Sequence, residues 1–198
     1  MTSKNIFATY SKEYVTIYQA FGNNIADELL LYGKFGPSFS LNRTSWIKTS
    51  FLWMMHRSEW GTKINQERIF SIQLTKEGFD NILSQAVLTK FKPKIHGANS
   101  EWKKKFNTTN VLCQLDPDRD IYGRENQRKA VQLGLKNEIL DMYVNDFIVD
   151  FVEITYDVRK YKKMISENNY NFCLPEEKEY VINDNVAMEI GLIKKEES

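Results

Sequence analysis

The run "YVTIYQAFGNNIADELLLYG" (Tyr14–Gly33) changes period in its middle. Through Phe21 it is crowded with β-branched and aromatic residues, as a half-buried strand is. From Asn23 the apolar residues fall at helical spacing, with Asn as the expected cap and Gly33 as the stop. Outward from this strand–helix pair the chain keeps mixing the two patterns. "RIFSIQL" (68–74) reads as a strand, and Thr75 as the cap of a helix to about Leu88. "SEWKKKF" (100–106) reads as a short helix, "VLCQL" (111–115) as a strand, "DPDRDIYG" (116–123) as a turn and "KAVQLGL" (129–135) as a strand. "NEILDMYVNDF" (137–147) is a helix and "IVDFVEI" (148–154) a strand, and Thr155 caps a helix over 156–168. The order is neither all-helical nor a regular βαβ series, so the expected class is α+β: a single domain, with a mixed or antiparallel central sheet and flanking helices. The expected division is a catalytic domain over 6–165 and an acidic C-terminal extension over 166–198, packed on it or free.

A chain of 198 residues buries roughly 70% of the surface its unfolded form exposes, so a full core is available. The net charge of +1 excludes global steering toward nucleic acid, and any such binding must be local. Cys113 and Cys173 form no framework and no CxxC pair, which leaves two reduced core thiols. No apolar leader or long uncharged apolar run is seen, so no membrane partner is expected and a cytoplasmic location is the default.

Four strands each carry a lone glutamine between apolar neighbours: Gln19, Gln73, Gln114 and Gln132. Alternation along a strand lets such amides converge on one side of a sheet and line a polar cleft. The same alternation also describes the solvent face of a half-covered sheet. Gln19 and Gln132 are the preferred cleft candidates.

"WIKTSFLWMMHRSEWG" (Trp46–Gly61) threads Lys48, His56, Arg57 and Glu59 through three of the chain's four tryptophans. Thr49 or Ser50 caps a short helix to Arg57, with Phe51, Leu52 and Met55 inward. Lys48 stands just before its first turn, where unpaired N–H groups attract phosphate and disfavour an ammonium. Ser50 and Arg57 lie about two turns apart and share a face, so one phosphate can meet Lys48, the helix start and Arg57. Burial beside Trp46 and Trp53, with Arg57 nearby, lowers the lysine's pKa toward that of a nucleophile. The plain alternative is a lysine snorkelling from an aromatic core.

Together, "WIKTSFLWMMHRSEWGTK" (46–63), "QLDPDRD" (114–120) and "RKAVQLGL" (128–135) resemble the signature of the domain of unknown function 4291 family, with similarity from about Ile6 to Val158. The family usually has Lys-Pro-Ser and Arg-Ser-Gly-Trp where this chain has Thr49 and Glu59. The resemblance implies joining of RNA ends through an adenylated lysine. Matched by motif, it points to Lys48, with Arg57, Lys63, Asp118, Arg128 and Gln132.

Asp116, Asp118 and Asp120 alternate, but the Gly and Glu of an EF-hand are missing. Mg²⁺ needs only one or two carboxylates plus substrate phosphates, so Asp118 is its candidate ligand; capping aspartates in a polar turn are the alternative. Neither HExxH nor a Walker loop, GxGxxG or GxSxG occurs. "KFKPKIHGANSEWKKK" (90–105) carries six lysines with Phe91 and Trp102, so it reads as a single-stranded RNA patch or a solvated face.

The expected function is therefore nucleotidyl transfer on RNA, most concretely by an ATP-dependent RNA ligase. Lys48 would attack ATP, with Arg57, Lys63 and Arg128 neutralising charge and Asp118 holding Mg²⁺. Gln19, Trp46, Ser50 and Gln132 would bind the nucleotide, and Lys103, Lys104 and Lys105 the RNA, such as tRNA or cleaved RNA ends. The KxDG motif of ordinary covalent nucleotidyltransferases is absent. An ADP-ribosyltransferase-like enzyme using NAD, with Glu153 as its carboxylate, is the alternative, although Gln19 stands where that fold usually has His or Arg. A non-catalytic RNA-binding module is a third reading.

Overall fold

The computed structural model describes residues 6–193. In chain order the elements are β1 (Ile6–Tyr10), β2 (Tyr14–Phe21), α1 (Asn23–Tyr32), β3 (Ser45–Lys48), α2 (Phe51–Ser58) and β4 (Arg68–Thr75). Then come α3 (Lys76–Ser84), β5 (Ala86–Leu88), α4 (Pro93–His96), α5 (Asn99–Thr108), β6 (Val111–Arg119) and β7 (Glu125–Leu135). The chain closes with α6 (Asn137–Met142), which runs into a π-helical turn (Tyr143–Phe147), then β8 (Ile148–Glu153), α7 (Thr155–Ser166), β9 (Lys178–Tyr180) and α8 (Asp184–Glu189).

The expected α+β class holds. Among the described residues the strands form one mixed sheet of nine, ordered β5-β6-β7-β3-β2-β1-β9, with β4 on β2 and β8 on β4. Among the described strands only β5 and β6 run parallel. One edge of β2 pairs with β4 throughout its length, while on the other edge β1 takes the start and β3 meets it at Tyr18 alone. This forked edge opens the site.

Two apolar clusters flank the sheet. The larger gathers Val15, Ile17, Ile47, Ile72 and Leu133 with Leu29 of α1, Phe79 and Ile82 of α3, Leu140 of α6, Ala187 of α8 and Ile190 at its C-cap. Tyr18, Phe51, Met54, Met55, Ile69 and Val158 form the smaller, where α2 and α7 pack. Residues 166–193 are thus no loose tail: β9 pairs with β1, and Leu174 and Ile190 join the two clusters. The end of the expected extension, 194–198, lies outside the described residues.

Several expectations change. Gly22, without a side-chain bond, is the N-cap of α1 rather than an asparagine, whereas Gly33, Ser50 and Thr75 cap as expected. α3 stops at Ser84 because Ala86–Leu88, all buried, are drawn into the sheet beside β6. The turn expected over 116–123 begins only at Asp120, since β6 runs through Pro117 to Arg119 across a register irregularity that absorbs the proline. Thr155 does not cap α7; its hydroxyl accepts from Ile69 N at 2.8 Å and donates to Glu153. Cys113 is buried, but Cys173 is exposed. Among the described residues no helix is long and apolar enough to cross a membrane.

After α2, Glu59, Trp60 and Gly61 take φ of 54°, 60° and 73°. The turn is held by the Ser58 carbonyl, which accepts from the N–H groups of Gly61, Thr62 and Lys63. A left-handed L-residue costs roughly 1–2 kcal/mol, and Glu59 bears that cost here. Glu59→Gly is therefore expected to stabilise the chain by about 1 kcal/mol, read as a higher denaturant midpoint at unchanged slope.

Candidate functional site

β2 and β3 meet in register only at Tyr18 and Lys48, and beyond that point the strands part around a cleft of about 1020 Å³. Its walls are the end of β2, the start of α1, the 38–44 loop, the start of β3, Arg57 of α2 and residues 65–67; Gln114 and Gln132 reach it from β6 and β7. Cross-strand partners share a face, so Lys48, Gln132 and Gln114 stand in one row. The alternate residues Ile47, Leu133 and Cys113 are buried in the main core. Strand alternation thus gives this part of the sheet one apolar face and one polar face, with Gln114 and Gln132 on the polar one; Gln19 belongs to the opposite face, since Tyr18 is the residue that pairs with Lys48, and it reaches the cleft where the strands part. Gln73 does not line the cleft.

Lys48 is only 8% exposed, and its Nζ donates to the Trp46 carbonyl at 3.1 Å. Burial first, and then the Arg57 guanidinium, bring its pKa down from 10.5 to about 7. A far larger share of such a lysine is free amine near neutrality than of an exposed one. Arg43 and Arg57 join Lys48 in the lining against the lone carboxylate of Glu67. The first turn of α1 opens here with no side-chain cap and no acidic residue, so its N–H groups add to the positive field.

Trp46 is placed by a glycine. A Cβ on Gly134 would come within 3.0 Å of its Cε2 and Cη2, so the indole lies directly over that backbone. Gln19 holds the wall together: Nε2 donates to Ser45 Oγ at 2.9 Å and to the Trp46 carbonyl at 3.2 Å, and Oε1 accepts from Tyr143 Oη at 2.6 Å. With its amide engaged at both ends, Gln19 positions β3 against β2 and is not free to bind a nucleotide.

The α2 N-terminus is occupied by the chain itself. Ser50 Oγ accepts from Trp53 N at 3.1 Å and donates to Asp118 Oδ1 at 2.8 Å, while Glu177 Oε1 accepts from Phe51 N at 2.7 Å. Arg128 lies between the two carboxylates, donating to Asp118 Oδ2 from Nε at 2.8 Å and from its terminal nitrogen at 2.5 Å, and to Glu177. Asp118 is fully buried. Three sequence expectations are corrected by this. Ser50 is a cap outside the cleft, the α2 N-terminus is closed to phosphate, and Arg128 is an internal counter-ion. Asp118 does not fit Mg²⁺ either, because both oxygens already accept hydrogen bonds; Oδ1 takes a second, from Arg119 N. Among the described residues no group of three or more His, Cys, Asp or Glu side chains is placed to hold a metal.

The cleft thus brings together Lys48, Arg57, Trp46, Gln19 and Gln132. Lys63 does not line it. Lys103, Lys104 and Lys105 lie exposed on α5, with Lys105 paired to Glu189. Glu153 is held at both oxygens by Arg68, at 2.5 and 2.6 Å, away from the cleft lining, which counts against it as a catalytic carboxylate. Sequence reasoning missed Arg43, inside a loop without periodicity, and Glu177, whose only signal was the acidity of its segment.

The sequence model of the family described as Domain of unknown function (DUF4291) matches residues 5–180. No curated protein matches the chain. The matched region extends past α7 to the end of β9, and so takes in Glu177 and the Arg128 network.

Proposed function

The chain belongs to the DUF4291 family, and from that premise and the cleft we propose that it is an ATP-dependent RNA ligase acting through a lysyl-adenylate at Lys48. The observation that carries this reading is a lysine buried where β2 and β3 part, in a polar cleft that Arg43 and Arg57 also line, with burial and Arg57 bringing its pKa down to about 7. The neutral Nζ attacks the α-phosphorus of ATP. An N–P bond forms, the bond to the pyrophosphate oxygen breaks, and pyrophosphate leaves with its electron pair as the nitrogen sheds a proton. The adenylyl group then passes to an RNA end and Lys48 is restored. Arg57 and Arg43 take up the charge that develops on the phosphates, the open first turn of α1 attracts them, and Trp46 offers its face to the base. Mg²⁺ would enter on the nucleotide's phosphates, and no step is routed through Asp118.

The test is incubation with α-labelled ATP and Mg²⁺. It should leave an acid-labile, hydroxylamine-sensitive label on Lys48. Because only the free amine attacks, the labelling rate should climb about tenfold per pH unit below about 7 and level off above it. A rate that is flat from pH 5 to 9 would exclude lysine deprotonation as the limiting factor.

The basic segment supports RNA as the acceptor. Around α4 and α5, the rings of Phe91, His96, Trp102 and Phe106 pack at centroid distances of 5.2–6.1 Å among exposed lysines. Replacing Lys103, Lys104 and Lys105 together by Ala should weaken RNA binding and flatten its salt dependence by roughly 0.7 in slope per lost phosphate contact. An unchanged slope would return these lysines to the solvated-face reading.

A further inference from the structure

Resting on the reading of Lys48 as the adenylyl acceptor, we infer that Gln132, oriented by Asp116, accepts a hydrogen bond from a sugar hydroxyl of the nucleotide and so selects ribonucleotides over deoxyribonucleotides. The amide's direction is fixed by chemistry. A carboxylate only accepts, so the NH₂ end must face Asp116, and Gln132 Nε2 stands 2.7 Å from its Oδ2. A longer contact of 3.4 Å joins the same nitrogen to Gln114 Oε1. The carbonyl oxygen Oε1 of Gln132 has no partner among the described residues, although the side chain is only 5% exposed and lines the cleft. It is a preset acceptor in want of a donor.

Register says which donor. Gln132 pairs directly with Lys48, and Gly134 with Trp46, two residues further along each strand. Cross-strand neighbours stand about 5 Å apart at Cβ, and each two-residue step along a strand adds about 6–7 Å. With the α-phosphorus at Lys48 and the base on Trp46, the sugar that joins them falls beside Gln132. Its hydroxyls donate; a deoxy position has nothing to give and leaves the acceptor dry and unpaired.

The test uses the intact chain with Mg²⁺ and compares initial labelling at subsaturating ATP, 2′-deoxy-ATP and 3′-deoxy-ATP. One of the deoxy analogues should label roughly ten- to a hundredfold more slowly than ATP, and which one it is identifies the hydroxyl. Gln132→Met should bring ATP down to the rate of that analogue. Asp116→Asn frees the amide to turn and should shrink the ratio toward one, a change that a merely structural role for Asp116 would not produce. The native chain alone decides if a variant fails to fold. Equal labelling by all three nucleotides overturns the inference while leaving the lysyl-adenylate standing, as does a ratio that survives in both variants. No labelling by any of them overturns both.

Discussion

Lys48→Arg will carry no adenylate and will still bind ATP. Arginine keeps the positive charge in the cleft, but its guanidinium does not deprotonate in a protein, so no lone pair is available to attack phosphorus. The native lysine differs because burial and Arg57 hold its pKa near 7; an unperturbed lysine would be free amine about once in a thousand at neutral pH. Labelling should therefore fall below detection, while nucleotide affinity measured by calorimetry changes little. Arg57→Ala gives the contrasting phenotype: the acceptor remains, but a charge-stabilising donor is gone, and labelling should slow on the order of 10²- to 10³-fold. Native-rate labelling of Lys48→Arg would move the nucleophile elsewhere and leave Lys48 a phosphate-binding residue.

Arg128→Ala will cost stability, about 3–5 kcal/mol, without touching the cleft. Asp118 is fully buried and Glu177 nearly so, and the arginine between them is the cation of that cluster. Removing one partner of a buried pair leaves the other charge uncompensated, which is far more destabilising than the pair was stabilising. Asp118 keeps Ser50 and the Arg119 N–H, but neither neutralises it. Denaturant unfolding of Arg128→Ala, Asp118→Asn and the double variant forms a cycle, and the double variant should be more stable than Arg128→Ala alone. A loss under about 1 kcal/mol for Arg128→Ala would show that solvent reaches Asp118 after all.

What could be read in advance follows the physics of each signal. Periodicity is local, so the strands from β2 to β8 with clear alternation were visible, as was α2 with its serine cap. β3 and β5 were not, because strands of four and three residues are too short to show a period and are fixed by their neighbours. Lys48 was legible as a perturbed lysine because Arg57, which adds to the effect of burial, lies in the same segment of sequence. The role of Arg128 was not, since the two carboxylates that claim it come from β6 and from residue 177, and ion pairing across such separations leaves no local pattern. The same holds for Asp118, whose alternation with Asp116 suggested a metal until the fold turned one carboxylate inward to Arg128 and the other toward Gln132.

The pairing of β1 with β9 bears on the order of assembly. Ile6, Phe7 and Ala8 lie opposite Tyr180, Glu179 and Lys178, so the first strand described waits for the last one described. On a ribosome that adds about 5–20 residues each second, β1 emerges many seconds before its outer neighbour exists. Until β9 arrives, one side of β1 is an unpaired edge able to join another chain, and Arg128 has no Glu177 to complete its cluster. The slowest loop to close is also the one that seals the base of α2, so the first turn of α2 acquires its Glu177 partner only after a further 126 residues have been added.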